Sequence, residues 1–411
     1  MVATQERIAQ NDTALINVIQ INSTEFADAV SYAKRFVLRS RTTQGVSGGL
    51  DKIHLNYQAR EPYLFVSGFD LAKGATISIP AYGESDLDVL LESGYTEAIA
   101  KAMPQDFTLD ITQEEGSILI KARTTTGILK RRIPYLSPEN RTLMPTPAGE
   151  AIASVDYEQI LQASEVCFCY EQQVEHDVMS CIRLSWSLRE FCAESSNKHV
   201  IAHFQDDSSP TKACSVLIPG NSLKVFAAVL KRIEPTQVDI YYQNNCLHMI
   251  AFKDDYRVAE IYSGSMNAQF PDMKAVVDAG TSNPTTEITA NKELLVQALQ
   301  RIRPATETAL EQVAKGVVQI ETLGTDKLKI TAPCAAPGCE AMEIIACQAT
   351  GEALKKNIKY EYLMPSTQQT VGTGVRIVGG AHPSTIGVLP MKSVGVGQRY
   401  AIACLSDGLA Q

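Results

Sequence analysis

The chain has 411 residues, of which 45% are hydrophobic and 20% charged, with a formal net charge of −9. That balance is the composition of a folded soluble protein of about two to three domains, and it excludes a disordered chain. No apolar run approaches the roughly 20 residues that span a bilayer, and a net acidic chain argues against a protein coated in nucleic acid while leaving room for a local basic surface.

The first twelve residues, Met1 to Asp12, are polar and lack the apolar core of a secretory signal, so the expected location is the cytoplasm. Ten cysteines follow no ordered spacing and read as buried, reduced thiols. The nearest approach to a histidine pair is His199 and His203, which in a strand share a face but stand about 13 Å apart. No metal and no cofactor is expected.

Periodicity sets out one plan three times. The first copy opens with a strand over Ala14 to Ile21, an N-cap at Asn22 or Ser23, and a helix over Thr24 to Leu38 with Phe26, Val30, Ala33 and Val37 on one face. Strands follow at Lys52 to Gln58, Tyr63 to Gly68 and Thr76 to Pro80, then a helical region over Leu87 to Met103. A hairpin of Phe107 to Thr112 and Ser117 to Ala122 turns at Glu114-Glu115-Gly116, and Ile128 to Pro134 closes the copy before the Pro-rich connector Ser137 to Pro147.

The second copy repeats that order with a helix over Asp156 to Phe168 and strands at Met179 to Trp186, Leu188 to Ala193, His199 to Gln205 and Ser215 to Pro219. A helix over Ser222 to Ile233 precedes a hairpin of Val238 to Gln243 and Leu247 to Phe252, turning at Asn244-Asn245. The closing strand, Val258 to Tyr262, leads into Phe270-Pro271-Asp272. Pro271 fixes φ and lacks a donor, so the chain leaves the sheet extended, as a connector between domains would.

The third copy has a helix over Lys292 to Ile302 and strands at Gly316 to Leu323, Lys327 to Ala332 and Ala341 to Gln348. A strand over Tyr360 to Met364 is stopped by Pro365, and a short helix over Ser366 to Val371 is poor in helix formers. Strands at Val375 to Val378, Thr385 to Leu389 and Arg399 to Leu405 complete it. Units of about 137 residues are whole domains rather than solenoid turns. The expected boundaries are 1–147, 148–280 and 281–411, and two helices packed on antiparallel strands in each make the class α+β.

No sequence feature points to catalysis. Gly-x-Ser-x-Gly, the P-loop, Gly-x-Gly-x-x-Gly and His-Glu-x-x-His are all missing from the sequence. The carboxylate pairs Asp206-Asp207 and Asp254-Asp255 read as solvated turn residues.

The order of elements, with Phe270-Pro271-Asp272 closing the second copy and Val276-Val277 after it, resembles the bacterial DNA sliding clamp, the beta subunit of DNA polymerase III. Leu64 to Leu71, Ser215 to Pro219, Leu328 to Ala332 and Tyr400 to Leu405 resemble strands of that family in the same order, so the likeness covers nearly the whole chain. The segment Ala193 to Ala202 departs from the family pattern by one or two inserted residues, an expected aromatic pair near Asp177-Val178 is missing, and the chain runs on to Gln411. These departures suggest a remote clamp carried by a phage or plasmid.

The resemblance implies a non-enzymatic processivity factor: three clamp-type domains per chain, forming a ring as a head-to-tail homodimer around double-stranded DNA without reading its sequence. It implies nucleoid association in the cytoplasm and no membrane. Sliding asks for loose, base-independent phosphate contacts from basic helices. The candidates are Lys34, Arg35, Arg39 and Arg41, then Lys101, then Lys224, Lys231 and Arg232, then Arg301 and Arg303. Each is equally at home on a solvated helix face, where a cation near the C-terminus suits the macrodipole. The first helix of the middle domain carries Glu158, Glu165 and Glu171 and no Lys or Arg.

The resemblance also implies a hydrophobic cleft, between the second and third domains, where DNA polymerase, clamp loader and repair proteins insert short peptide motifs. By position its residues are Met179, His199, Val200, Pro271, Val276, Ala401, Ile402 and Ala403, all of which also suit ordinary core. Alanine at 401 and 403 suggests altered partner choice. The alternative is a clamp-fold homologue that docks or sequesters replication partners without encircling DNA.

Overall fold

The computed structural model describes residues 18–38, 49–139, 141–171, 177–187, 189–380, 382–391 and 397–405. One order of elements recurs three times: a strand, a helix, four strands, a helix and three strands. The first copy runs β1 (Ile19–Asn22), α1 (Ser23–Ala33), β2 (Lys52–Tyr57), β3 (Tyr63–Phe69), β4 (Lys73–Gly83), β5 (Leu87–Glu92), α2 (Ser93–Lys101), β6 (Thr108–Glu114), β7 (Ser117–Thr124) and β8 (Gly127–Leu136). The second runs β9 (Ala153–Val155), α3 (Tyr157–Val166), β10 (Cys181–Ser187), β11 (Glu190–Ser196), β12 (Val200–Asp207), β13 (Cys214–Pro219), α4 (Gly220–Ile233), β14 (Gln237–Gln243), β15 (Cys246–Lys253) and β16 (Tyr256–Gly264).

After α5 (Met273–Thr281) comes the third: β17 (Thr286–Asn291), α6 (Lys292–Thr306), β18 (Val317–Leu323), β19 (Lys327–Thr331), β20 (Met342–Gly351), β21 (Lys355–Lys359), α7 (Tyr360–Gln368), β22 (Gly374–Gly379), β23 (Thr385–Pro390) and β24 (Gly397–Ala403).

Two compact units form, one holding the chain up to Tyr157 with Val225–Gly264, the other Glu158–Lys224 with the chain from Ser265. Each is built on one twelve-stranded antiparallel sheet. In the first the order is β1-β6-β7-β8-β5-β2-β3-β4-β16-β15-β14-β9, with β1 also on β4. In the second it is β13-β10-β11-β12-β24-β23-β22-β17-β20-β19-β18-β21. The same joint occurs in both: the fourth strand of one copy pairs with the last strand of the next. Ile77 stands opposite Ala259 where β4 meets β16, and Val200 opposite Ile402 where β12 meets β24.

The helices pack for reasons legible in their sequences. Asn22 accepts from the N–H groups of Thr24 and Glu25 at 2.8 and 3.2 Å, starting α1. The stripe Phe26, Ala29, Val30 and Ala33 is then buried against β3 and β4. The helix stops at Ala33 and tightens into a 3-10 turn, Lys34–Phe36, which seats Phe36 against Phe226 with ring centroids 5.9 Å apart. Hairpin turns fall where expected: Gly116 has φ 71°, and Asn244-Asn245 take φ 51° and 63°.

Several expectations need correction. The helical region over Leu87 to Met103 is a strand followed by a helix, because β5 pairs along β2 and the Glu92 side chain then caps α2 through Gly94 and Tyr95. The strand expected at Tyr360 to Met364 is the start of α7, with Pro365 inside the helix and the Ser366, Thr367 and Thr370 hydroxyls donating to carbonyls four residues back. Phe270-Pro271-Asp272 is more than a connector: Asp272 accepts from Ala275 N–H at 3.1 Å and starts α5. Of the cysteines, Cys167, Cys169, Cys181 and Cys192 are buried, whereas Cys339 is exposed. Burial pushes the Cys169 and Cys192 thiols up to about 12.

One close approach fixes the first unit. A Cβ on Gly68 would stand 2.1 Å from the Ala33 carbonyl oxygen, so β3 and the end of α1 can meet only if residue 68 has no side chain. Gly68→Ala is expected to destabilise the protein by about 1–3 kcal/mol, read as a lower urea midpoint.

Candidate functional site

The β12–β24 joint positions the apolar candidates. Ala403 N–H donates to the His199 carbonyl at 2.8 Å, and Ile201 lies opposite Ala401. Side chains alternate along a strand, so His199, Ile201, Ala401 and Ala403 share one face and Val200 and Ile402 the other. Val200 and Ile402, expected at the cleft, are fully buried. Ile201 takes the place expected for Val200; its signal was the period of two within an already predicted strand.

Beside this face lies a cluster of Cys181, Leu217, Phe270 and Met273, against which the half-buried Val178, Met179, Ile201 and Met266 pack. Met179 sits in a 3-10 turn, Val178–Ser180, held by Asp177, whose side chain accepts from Met179 N–H at 3.0 Å. Val178, Ile201 and Met266 were not recognised from sequence.

The exposed His199 ring stacks on Tyr362 at 5.4 Å. Pro271 is exposed at the entry to α5 and Val276 on its outer side, 50% exposed. Ala401 is buried beneath α5, where Gly280 allows the approach, and an Arg399–Asp278 ion pair ties α5 to β24. The structure thus brings together Met179 and the Phe270 end of the loop, with His199 and Ala403 at the strand joint.

A buried polar group supports this surface. Glu194 on β11 is 1% exposed and is bonded by the Arg183 guanidinium, with Nε at 2.6 Å, and by His203 Nδ1 at 3.2 Å. The same guanidinium lies over the Phe270 ring at 5.4 Å. Burial alone would push the Glu194 carboxyl up, but the bonds from His203 and Arg183 hold it below the ordinary value of 4.5.

The basic candidates are less uniform. Arg39 and Arg41 lie outside the described residues. Lys34 and Lys101 both bond Glu97, Arg232 bonds Asp28 at 2.7 Å, and Arg301 grips Glu343 with two bonds at 2.9 and 3.0 Å. Arg35 and Arg303 lie over the rings of Tyr32 and Tyr360. Lys224 and Lys231 are exposed on α4 without a carboxylate partner among the described residues. Among those residues no cluster of three or more His, Cys, Asp or Glu could hold a metal, and no helix is long and apolar enough to cross a membrane.

The sequence matches no family model and no curated protein. Solved structures do match over nearly the whole chain. The DNA polymerase III beta subunit of Thermotoga maritima superposes with a TM-score of 0.77 at 14% identity, covering 95% of this chain and 99% of that one. The fold is that of a bacterial sliding clamp. The sliding clamp of Pseudomonas aeruginosa, solved bound to griselimycin, gives 0.77 at 16% identity over 95% of this chain and 100% of its own. The beta subunit from the DNA polymerase of Streptococcus pyogenes gives 0.77 at 16% identity, covering 94% of this chain and 99% of that one. At such identities the likeness to sliding clamps is one of fold.

Removing the guanidinium from Glu194 leaves a buried carboxylate short of a partner. Arg183→Ala is expected to cost about 3 kcal/mol in chemical denaturation at neutral pH. Because the folded Glu194 carboxyl titrates below 4.5, its stabilisation is complete above that pH and is lost as the pH falls through the folded value. The gap between variant and wild type should therefore narrow in acid.

Proposed function

We propose that the protein is a DNA sliding clamp, a non-enzymatic processivity factor that encircles duplex DNA as a head-to-tail homodimer and tethers partners through the apolar surface around Met179, Ile201 and Phe270. Three clamp-type domains, 1–147, 148–280 and 281–411, make up each chain in this reading, which places it in the cytoplasm with the nucleoid.

One observation carries the ring. The joint that links successive copies, fourth strand to last strand, is used twice within the chain and leaves one half-joint at either end. Among the described residues, 127–134 of β8 pair only with β7, and 342–346 of β20 pair only with β19. A second chain supplies the missing strand to each. Both edges carry exposed apolar side chains, Ile128 at 63%, Met342 at 60% and Ile344 at 47%, as an interface rather than a solvated edge requires. Lys130 and Arg131 lie on the β8 edge, and Glu340 precedes the β20 edge, so head-to-tail contact is favoured over contact of like edges.

Passage of DNA then rests on the exposed cations Arg35, Lys224, Lys231 and Arg303, with Lys34, Lys101, Arg232 and Arg301 released from their carboxylates by competing phosphates. A second reading, a clamp-fold protein that docks or sequesters partners without encircling DNA, draws on the same carboxylate pairing and on the acidic α3.

The ring reading requires a dimer of about 90 kDa, twice the chain mass of 44.8 kDa, in sedimentation. Ile128→Asp with Ile344→Asp should yield a folded monomer. The wild type should be retained on nicked circular DNA and released when the circle is linearised. A monomeric wild type, or retention that survives linearisation, contradicts encirclement and leaves the docking reading.

For the cleft, Pro271→Ala with Val276→Asp, or Ile201→Asp alone, should weaken a hydrophobic clamp-binding peptide at least tenfold in calorimetry while the dimer persists. Unchanged affinity would place the peptide elsewhere.

A further inference from the structure

In the first unit a cavity of about 380 Å³ opens between α1 and β4, closed by the end of α4 and by the β15–β16 turn. Its volume falls in the range of small-molecule pockets. Ala29, Ile77, Ile79 and Val258, all buried, give it an apolar floor. Tyr32 and Tyr63 form its walls, and Tyr63 is held by the Tyr256 ring at 5.6 Å.

The polar groups on the rim are unevenly committed. Three carboxylates, Glu25, Asp28 and Asp254, face two cations, Arg232 and Lys253. Arg232 is bound to Asp28 at 2.7 Å, and Lys253 donates to the Ile233 carbonyl at 3.0 Å. The Glu25 carboxylate, half-buried in the first turn of α1, accepts no hydrogen bond among the described residues. Burial raises its pKa, an effect that the charge of Arg232 partly offsets and that of Asp28 reinforces.

We propose that this cavity is a binding site for a small ring, aromatic or aliphatic, that carries a protonated amine: the ring lies on the apolar floor between Tyr32 and Tyr63, and the ammonium donates to Glu25. The charge left over on the rim is negative, which selects a cation and rejects a carboxylate of the same shape. Apolar floor and unpaired carboxylate together set the class, since a bare hydrocarbon leaves Glu25 without a donor and a bare ammonium leaves the floor in water. An occupant would touch α1 and β4 of the first copy and α4 of the second, and so brace the β4–β16 joint.

Tryptamine is the probe, titrated into the full chain with ligand-observed NMR, with indole-3-acetate as the charge-reversed control. The expected result is saturable tryptamine binding, weakened about tenfold by Glu25→Gln and abolished by Ala29→Phe, whose ring fills the floor, with no binding of indole-3-acetate. Circular dichroism checks that each variant is folded; should Ala29→Phe not fold, the half-exposed Glu25→Gln decides alone. No saturation by tryptamine, equal binding of indole-3-acetate, or wild-type affinity in a folded Glu25→Gln chain would each overturn the assignment.

Discussion

Backbone hydrogen bonding at one repeated joint governs much of this architecture. A strand has two edges, and each edge must be paired, covered or left to solvent. In this chain the fourth strand of the first two copies has an edge that its own copy does not fill. β4 uses its C-terminal end on β1 and its N-terminal half on β16. β12, held by β11 on one edge, gives its other edge to β24. The second copy therefore gives β9, β14, β15 and β16 to one sheet and β10, β11, β12 and β13 to the other. A copy defined by its order along the chain is thus distinct from a unit defined by its contacts.

The apolar surface depends on the same joint. Pairing of β12 with β24 puts residues some 200 apart in sequence side by side, and the pleat decides which of them look outward. Around it, polarity is used to hold apolar groups in place. Arg183 is fixed by Glu194, Glu194 by His203, and Phe270 lies under the guanidinium, so the loop leading to Pro271 rests on a charged group that sequence reading passed over. A buried carboxylate with two partners tolerates little movement, because loss of either leaves a charge without compensation.

The basic side chains follow a different logic. An acidic protein that places Lys34, Lys101, Arg232 and Arg301 next to Glu97, Asp28 and Glu343 keeps these cations partly neutralised. Exposed pairs of this kind contribute little to stability and are readily exchanged.

Sequence by itself determined the threefold order of elements, the α+β class, the hairpin turns at Gly116 and Asn244-Asn245, and the break at Phe270-Pro271-Asp272. Those features are local: turn chemistry, capping and periodicity act over a few residues. It misjudged Leu87 to Glu92 and Tyr360 to Met364 because strand and helix compete closely in short apolar runs, and pairing along β2, or the end of the β18–β21 ladder at Lys359, settled each one. Only the tertiary structure decided that Val200 and Ile402 turn inward while Ile201 turns out, and that Arg183 reaches Phe270. It also decided that Phe270-Pro271-Asp272 ends by starting a helix across the β12–β24 joint. Those facts depend on register between distant strands, and a shift of one residue would reverse every face.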